Sequence, residues 1–255
     1  MSKYSKNSIL VIGDSCTDVF TYGFVHRLAP EGPVPVFNPL ISKSNGGMAL
    51  NVVSNIKAIG SNVKLVTHNE KITKTRFVDE RTNMILLRVD TDDTVSRIDN
   101  KIISNIKNNI FEGVKYDAII ISDYCKGFLT EEDIDYISLH NYNTFLDTKK
   151  ILGDWCKYVN FIKINSTEYN RTRHTIGQLN IDSQLIITKS DEGCEHNGIT
   201  YPVSKVNIKD VSGAGDTFIS ALVCEYIESY NIINAIKFAQ ECATIVVQKK
   251  GVCTI

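Results

Sequence analysis

Asp210-Val211-Ser212-Gly213-Ala214-Gly215-Asp216-Thr217-Phe218 is a polar, glycine-rich turn that runs straight into an apolar-periodic helix. Phe218, Leu222 and Tyr226 fall on one helical row, with Ile219, Val223 and Ile227 beside it. Gly213 and Gly215 remove side chains where the backbone has to approach a ligand closely, and the first amides of a helix lack intrahelical acceptors. With the positive end of the helix dipole, such amides make a site for a phosphate. Asp216 is the odd member, because a carboxylate repels an anionic ligand. Two readings stay open: Asp216 caps the helix, or it is a base that accepts a proton from an attacking hydroxyl.

The chain has 255 residues, 43% of them hydrophobic, which is enough for one α/β domain with a small appendage. A formal net charge of -1, with no basic run longer than Lys149-Lys150 or Lys249-Lys250, argues against nucleic acid as a partner. Small molecules are the expected ligands. Seven cysteines, an odd number without a C-x-x-C pair, and an N-terminus without the apolar core of a signal peptide point to reduced thiols in a cytoplasmic setting. No apolar stretch approaches bilayer length, so no membrane partner is expected.

Working outward from the turn, Ser8 to Ile12 reads as a buried strand that opens at Gly13-Asp14 into a loop. Asp14 and Asp18 follow in that loop; Asp14 reads as a turn residue and Asp18 as an acid that orients hydroxyls or a metal. Residues 17–41, punctuated by Pro30, Pro33 and Pro35, read as a β excursion. Asn45-Gly46-Gly47 is a glycine-rich approach to a helix from Met48 to a stop at Gly60, with Asn51 in its first turns. Val63–Val66 is a short strand, Ile72–Val78 and Met84–Val89 are paired strands that extend the excursion, and residues 95–113 read as a modest helix. The strands expected at 116–121, 144–147, 159–164 and 184–187 all end in polar residues: Ser122-Asp123-Tyr124, Asp147-Thr148-Lys149, Asn165 to Glu168, and Thr188-Lys189-Ser190. Four polar carboxyl ends point to one crevice. Thr130 to Asp133 reads as a capping box, residues 192–209 as a short hairpin, and 214–229 and 232–248 as helices.

Gly46-Gly47-Met48-Ala49-Leu50-Asn51 and Asp210 to Thr217, in that order, resemble the N- and C-terminal signatures of the ribokinase-like (pfkB) carbohydrate kinases. Within that family the chain is most similar to the heptose 7-phosphate kinase domain of lipopolysaccharide-core biosynthesis, through Gly13-Asp14 with Asp18, Arg27 to Pro35, Ile72 to Arg76, Leu87 to Asp90 and Ser122 to Gly127. The similarity runs from about Ile9 to Gly251. It implies an α/β three-layer sandwich with a mainly parallel central sheet and a small β lid, as a single domain over 1–255 with the lid strands within 17–41 and 72–89.

The resemblance also implies roles. Asp216 would be the catalytic base, with Gly213, Ala214 and Gly215 forming the anion hole. Asp18, Gly46, Gly47 and Asn51 would hold the sugar, and Arg27, Arg76 and Lys126 a remote phosphate. Asn165 and Glu168 would stand near Mg²⁺ and the triphosphate of ATP, with Glu168 as the metal residue and Thr188, Lys189, Ser190 and Gly193 lining the nucleotide site. Lys74 reads as a surface charge, and Arg76 shares its strand face. A homodimer through the lid is expected. The chain looks shortened: Thr67 leads almost directly into the lid strands, the 168–184 segment looks too short for a full helix and connection, and Gln240 stands where relatives usually have Asn. Two alternatives follow, a non-catalytic sugar- or nucleotide-binding remnant and a kinase of an unphosphorylated sugar. The absence of a G-x-x-x-x-G-K-[ST] stretch excludes a P-loop kinase.

Overall fold

β1 (Ser8–Gly13) is apolar and buried from Ile9 onward because both its faces are covered there. In the computed structural model of the chain, which describes residues 2–255, Ile9 and Val11 pack to one side of the sheet and Leu10 and Ile12 to the other. The elements that follow are β2 (Ser15–Leu28), β3 (Pro35–Met48), α1 (Ala49–Ile59), β4 (Asn62–Val66), β5 (Thr73–Asp79), β6 (Ile85–Thr91) and α2 (Asn100–Ser104). Next come β7 (Ile110–Phe111), β8 (Val114–Lys115), β9 (Ala118–Asp123), α3 (Glu131–His140), β10 (Thr144–Thr148), β11 (Phe161–Asn165) and α4 (Ser166–Leu179). The chain ends with β12 (Leu185–Thr188), β13 (Cys194–His196), β14 (Ile199–Tyr201), α5 (Ala214–Ser229) and α6 (Ile232–Val246).

The main sheet has eight strands in the order β14-β13-β12-β11-β10-β9-β1-β4, parallel from β4 to β12 and antiparallel at β13 and β14. Helices α1, α5 and α6 bury Val52, Ile56, Leu222 and Ile236 against one face; α3 and α4 bury Ile134, Ile137 and Ile176 against the other. This is the expected three-layer α/β sandwich. Strand order runs outward from β1 to β4 on one side and from β9 to β12 on the other, so the switch point lies between β1 and β9. A crevice forms at the carboxyl ends of strands at such a point.

A second sheet, ordered β3-β2-β5-β6, leaves the main sheet from the carboxyl ends of β1 and β4 and therefore covers that crevice. Its turn residue Asn83 donates through Nδ2 to the Lys209 carbonyl at 3.2 Å, which ties the lid to the loop before α5. Among the described residues, no helix is long and apolar enough to cross a membrane.

Several local expectations change. Asp18 and Asn45 to Gly47 lie in strands, paired Asp18 to Asn45 and Thr17 to Gly46, so α1 is entered from a strand and not from a loop. Residues 95–113 hold only the five-residue α2 and β7, the first strand of the β7–β8 hairpin. Asn108, Asn109, Glu112 and Gly113 take left-handed φ values of 54, 57, 50 and 75°, and such turns end a helix. The 168–184 segment, by contrast, carries most of the 14-residue α4, which starts just before it at Ser166: Asn165 caps the start of the helix and Asn180, at φ 52°, turns its end. The hairpin expected over 192–209 ends at Tyr201.

Gly13 faces Ser122 across the β1–β9 pair, and a Cβ added there would fall well inside contact distance of the Ser122 carbonyl. Gly13→Ala is therefore expected to lower stability by about 1–3 kcal/mol, as overpacking does. Urea denaturation checks this, and an unchanged midpoint would contradict the close strand approach that places Asp14.

Candidate active site

Asp216 is the third residue of α5 and is buried. It does not cap the helix: the N-cap is Gly213, at φ 81°, with no side-chain cap bond. Instead its carboxylate turns away from the helix axis, where Oδ1 accepts from the Tyr124 hydroxyl at 2.6 Å and Oδ2 from Asn51 Nδ2 at 2.8 Å. Burial pushes the Asp216 pKa up, and these two hydrogen bonds oppose that rise. A carboxylate with a raised pKa in a crevice is suited to take a proton.

The orientation of Asn51 is fixed by a chain of donors. Thr217 Oγ1 donates to Asn55 Oδ1 at 3.0 Å, Asn55 Nδ2 donates to Asn51 Oδ1 at 3.3 Å, and the Asn51 amide nitrogen is left facing Asp216. Asn51 thus serves the acid of α5, where a sugar contact was expected. Gly213 leaves room for it, since a Cβ there would meet Asn51 Nδ2 at 2.7 Å.

The turn before α5 presents free donors. Ala214 N is engaged with the Val211 carbonyl at 3.2 Å, so it leaves the anion hole expected of it. The amides of Gly213, Gly215 and Asp216 have no acceptor among the described residues. Asp210 holds the turn by accepting from Ser212 N at 2.8 Å and Gly251 N at 3.2 Å. A Cβ at Gly215 would meet Lys163 Nζ at 2.8 Å, so a buried ammonium stands directly beside the free amides. Amides and ammonium together make a strong anion site.

Lys163 Nζ donates to Asp147 Oδ2 at 2.7 Å, and Lys149 bridges Asp147 and Glu168. Burial raises the Asp147 pKa, but the charges of Lys163 and Lys149 outweigh it and hold the carboxyl below its usual range. Lys149 is in turn raised, its own burial being outweighed by Asp147 and Glu168. Glu168 has a structural role as well: its Oε2 accepts from Asn165 N at 2.8 Å while Asn165 Oδ1 accepts from Glu168 N at 2.9 Å, a complete capping box.

Lys149, Lys163, Asn165, Asp216 and the Gly213–Gly215 turn line a cleft of about 620 Å³ with Tyr124, Thr188, Ser190, Gly193 and Gln240. One end is polar; Val203, Val206, Ile208, Ala243 and Val247 make the other apolar. Gln240 Nε2 donates to the Tyr201 carbonyl at 2.5 Å and closes the hairpin over this end. Lys189 points away from the cleft, to Glu195 at 2.5 Å.

Under the lid, Asp18 and Arg76 form a buried ion pair beside Gly47. Arg76 is thereby committed to a carboxylate and is not a free phosphate ligand. Arg27 is exposed and lies nine residues along β2 from Asp18, about 30 Å at the rise of a strand; it is outside the crevice. Lys74, expected at the surface, is only 6% exposed, and its Nζ lies 5.6 Å from the centre of the Tyr124 ring. Lys74 and Arg76 share the face of β5 that is covered, Lys74 by Tyr124 and Arg76 by Asp18. Lys126 pairs with Asp93, and its loop is fixed by Asp14, whose Oδ2 accepts from Tyr124 N at 2.7 Å and Lys126 N at 3.2 Å.

Tyr124, Asp147, Lys149 and Lys163 were not singled out from the sequence as site residues. Lys163 carried a signal, a lone cation within the apolar run Phe161 to Ile164. Tyr124 carried none beyond its place at a strand end.

A family model described as pfkB family carbohydrate kinase matches residues 68–255. The bifunctional protein HldE of Aliarcobacter butzleri is 30% identical over 302 residues, covering 98% of this chain and 62% of that protein. The bifunctional protein HldE of Hydrogenovibrio crunogenus is 28% identical over 306 residues, covering 100% of this chain and 62% of its own length. The chain therefore spans 62% of the length of these curated relatives. Among solved structures, a ribokinase from Thermotoga maritima superposes with a TM-score of 0.67 at 14% identity, over 96% of this chain and 94% of that one. An Arabidopsis thaliana ribokinase complexed with ribose and ATP gives 0.66 at 14% identity, over 96% and 94%. Both share the ribokinase-like fold.

Because Asp216 binds its proton more tightly when folded than when unfolded, it favours folding fully below the unfolded carboxylate pKa, about 4, and that contribution is lost as pH rises through the higher folded pKa. Asp216→Asn removes this loss, and the Asn amide can still accept from Asn51 and donate to the Tyr124 oxygen. The variant is expected to melt above the wild type at pH 7 and to converge with it near pH 4. Thermal melts across pH check this, and a variant less stable at neutral pH would contradict it.

Proposed function

The chain belongs to the pfkB family of carbohydrate kinases, and from that premise we propose that it transfers the γ-phosphoryl group of ATP to the anomeric hydroxyl of a sugar phosphate, with heptose 7-phosphate as the acceptor. Asp216 takes the hydroxyl proton, the freed oxygen bonds to the γ-phosphorus, and the bond to ADP breaks. The free amides of Gly213, Gly215 and Asp216, with Lys163, face the charge that develops on the transferring group. The apolar end of the cleft suits a purine base, and Thr188, Ser190 and Gly193 line it.

Mg²⁺ fits this site as an ion carried on the triphosphate. Among the described residues, no cluster of three acidic, imidazole or thiol groups forms a cage, and Mg²⁺ takes few protein ligands and keeps its waters. Asp147 Oδ1 is buried without a hydrogen-bond partner, and Glu168 stands across Lys149 from it. These two carboxylates are the groups that would hold the ion's water shell. When bound, the ion supplies neutralisation of phosphate charge.

The observation that carries the sugar-phosphate reading is Lys74, a buried lysine with no carboxylate at ion-pair distance among the described residues. Its pKa is pushed down, chiefly by burial; Cys16 and Asp93 oppose that fall, and Lys126 and Arg88 add to it. An uncompensated buried ammonium is costly unless an anion arrives to pair with it. Lys126 is paired with Asp93 and Arg88 with Asp90, so in this reading Lys74 is the cation that takes the role the family resemblance gave to Arg27, Arg76 and Lys126. A homodimer through the lid belongs to the same reading: Leu40 and Ile41 on edge strand β3, and Ile85, Leu87 and Val89 on edge strand β6, are apolar and exposed.

Lys74→Ala is expected to cost at least roughly tenfold more in kcat/KM on heptose 7-phosphate than on the dephosphorylated heptose, since remote binding energy is used to place the acceptor. Steady-state kinetics on both sugars measure it. Equal losses, or a native preference for the unphosphorylated sugar, would overturn the heptose 7-phosphate assignment and leave the kinase assignment in place.

A further inference from the structure

The hydroxyl of Tyr124 makes with Asp216 the contact that an acceptor hydroxyl has to make. It donates to Oδ1 at 2.6 Å, inside the same cleft as the free amides of the α5 turn. The other carboxylate oxygen is held by Asn51, so Oδ1 is the proton-accepting atom left for a substrate. We propose that the Tyr124 hydroxyl is a placeholder for the acceptor hydroxyl: it occupies the base in the absence of sugar, keeps water from that position, and so decides that a sugar and not water receives the phosphoryl group. This rests on the kinase reading given above.

Three features suit Tyr124 to this task. Its backbone is fixed, because Asp14 accepts from Tyr124 N and Lys126 N and because Cys125 between them takes a left-handed φ of 57°. Two ammonium groups stand over the ring, Lys74 Nζ at 5.6 Å and Lys149 Nζ at 5.1 Å from its centre, and they favour the position with the hydroxyl on the base. The ring is also half-buried and lines the open cleft, so an arriving sugar displaces it by side-chain rotation without moving the loop. Lys74 then has a second reason to be uncompensated: an anion that draws its ammonium away removes one of the two cation contacts on the ring.

Removal of the hydroxyl leaves a polar hole beside Oδ1 about the size of one water molecule. A water there is at hydrogen-bond distance from the base. Its proton passes to Asp216, its oxygen bonds to the γ-phosphorus of ATP, and the bond to ADP breaks, giving ADP and inorganic phosphate. Tyr124→Phe keeps the ring and removes only the hydroxyl. The expected result is a rise of roughly tenfold or more in ADP release from MgATP without sugar, within the range that a positioned base contributes, and more than one ADP formed per phosphorylated sugar when sugar is present.

A merely structural defect lowers both activities and does not raise hydrolysis. The gain should vanish in the Tyr124→Phe, Asp216→Asn double variant. Sugar-independent ADP release that is unchanged or lower in Tyr124→Phe, when circular dichroism shows the variant folded, overturns the proposal, as does a gain that survives loss of Asp216. If Tyr124→Phe is unfolded, the wild type decides: sugar lacking its anomeric hydroxyl should displace Tyr124 and stimulate ATP hydrolysis, and absence of stimulation by a bound analogue overturns the proposal. Heptose 7-phosphate added to the same assay separates the two readings. Sugar-stimulated ADP release without the hydrolysis gain sinks the placeholder alone, whereas the gain without sugar stimulation sinks the acceptor assignment alone.

Discussion

A buried carboxylate held by two donors from distant parts of the chain is the constraint on which the rest depends. Asp216 is 165 residues from Asn51 and 92 from Tyr124, yet both donate to it. A charge removed from water at this depth costs several kcal/mol unless hydrogen bonds replace the lost hydration. The helix α1, the β9 loop and the α5 turn must therefore meet in one arrangement. The Thr217–Asn55–Asn51 relay and the Asp14 clamp on the Tyr124 loop meet that requirement from opposite sides.

The sheet makes the meeting possible. The direction in which strands are added to the sheet reverses between the parallel strands β1 and β9, and Asp14 and Tyr124 follow those two strands, so the clamp between them sits at the mouth of the crevice. β10 and β11 then contribute Asp147, Lys149 and Lys163, which compensate one another in pairs. The anion site of the α5 turn thus gains a cation without an uncompensated buried charge. The lid leaves from the same strand ends, and so it closes over chemistry that the main sheet has already positioned.

Much of this was legible in the sequence, for stated physical reasons. Double-sided burial makes β1, β9 and β12 continuous apolar runs, and the Gly213 turn before the α5 periodicity marks an amide-rich helix start. The family signatures order these features along the chain. The asparagine-rich 105–113 segment was misread because left-handed turns, not helical periodicity, govern it. Lys74 was misread because alternation tells which residues share a face, but not which face a lid strand turns inward. The contact between Tyr124 and Asp216 was not legible at all, since no local pattern encodes a pairing across 92 residues. It decides against helix capping for Asp216, a question that the sequence left open.

Phosphorus NMR of the protein with MgATP and heptose 7-phosphate tests the central claim most directly, that this carboxylate and anion site pass a phosphoryl group to an anomeric oxygen. The account predicts ADP together with a sugar that keeps its original phosphate and carries a second one coupled to the anomeric proton. ADP formation that does not depend on the sugar, or a new phosphate on any other carbon, would contradict it.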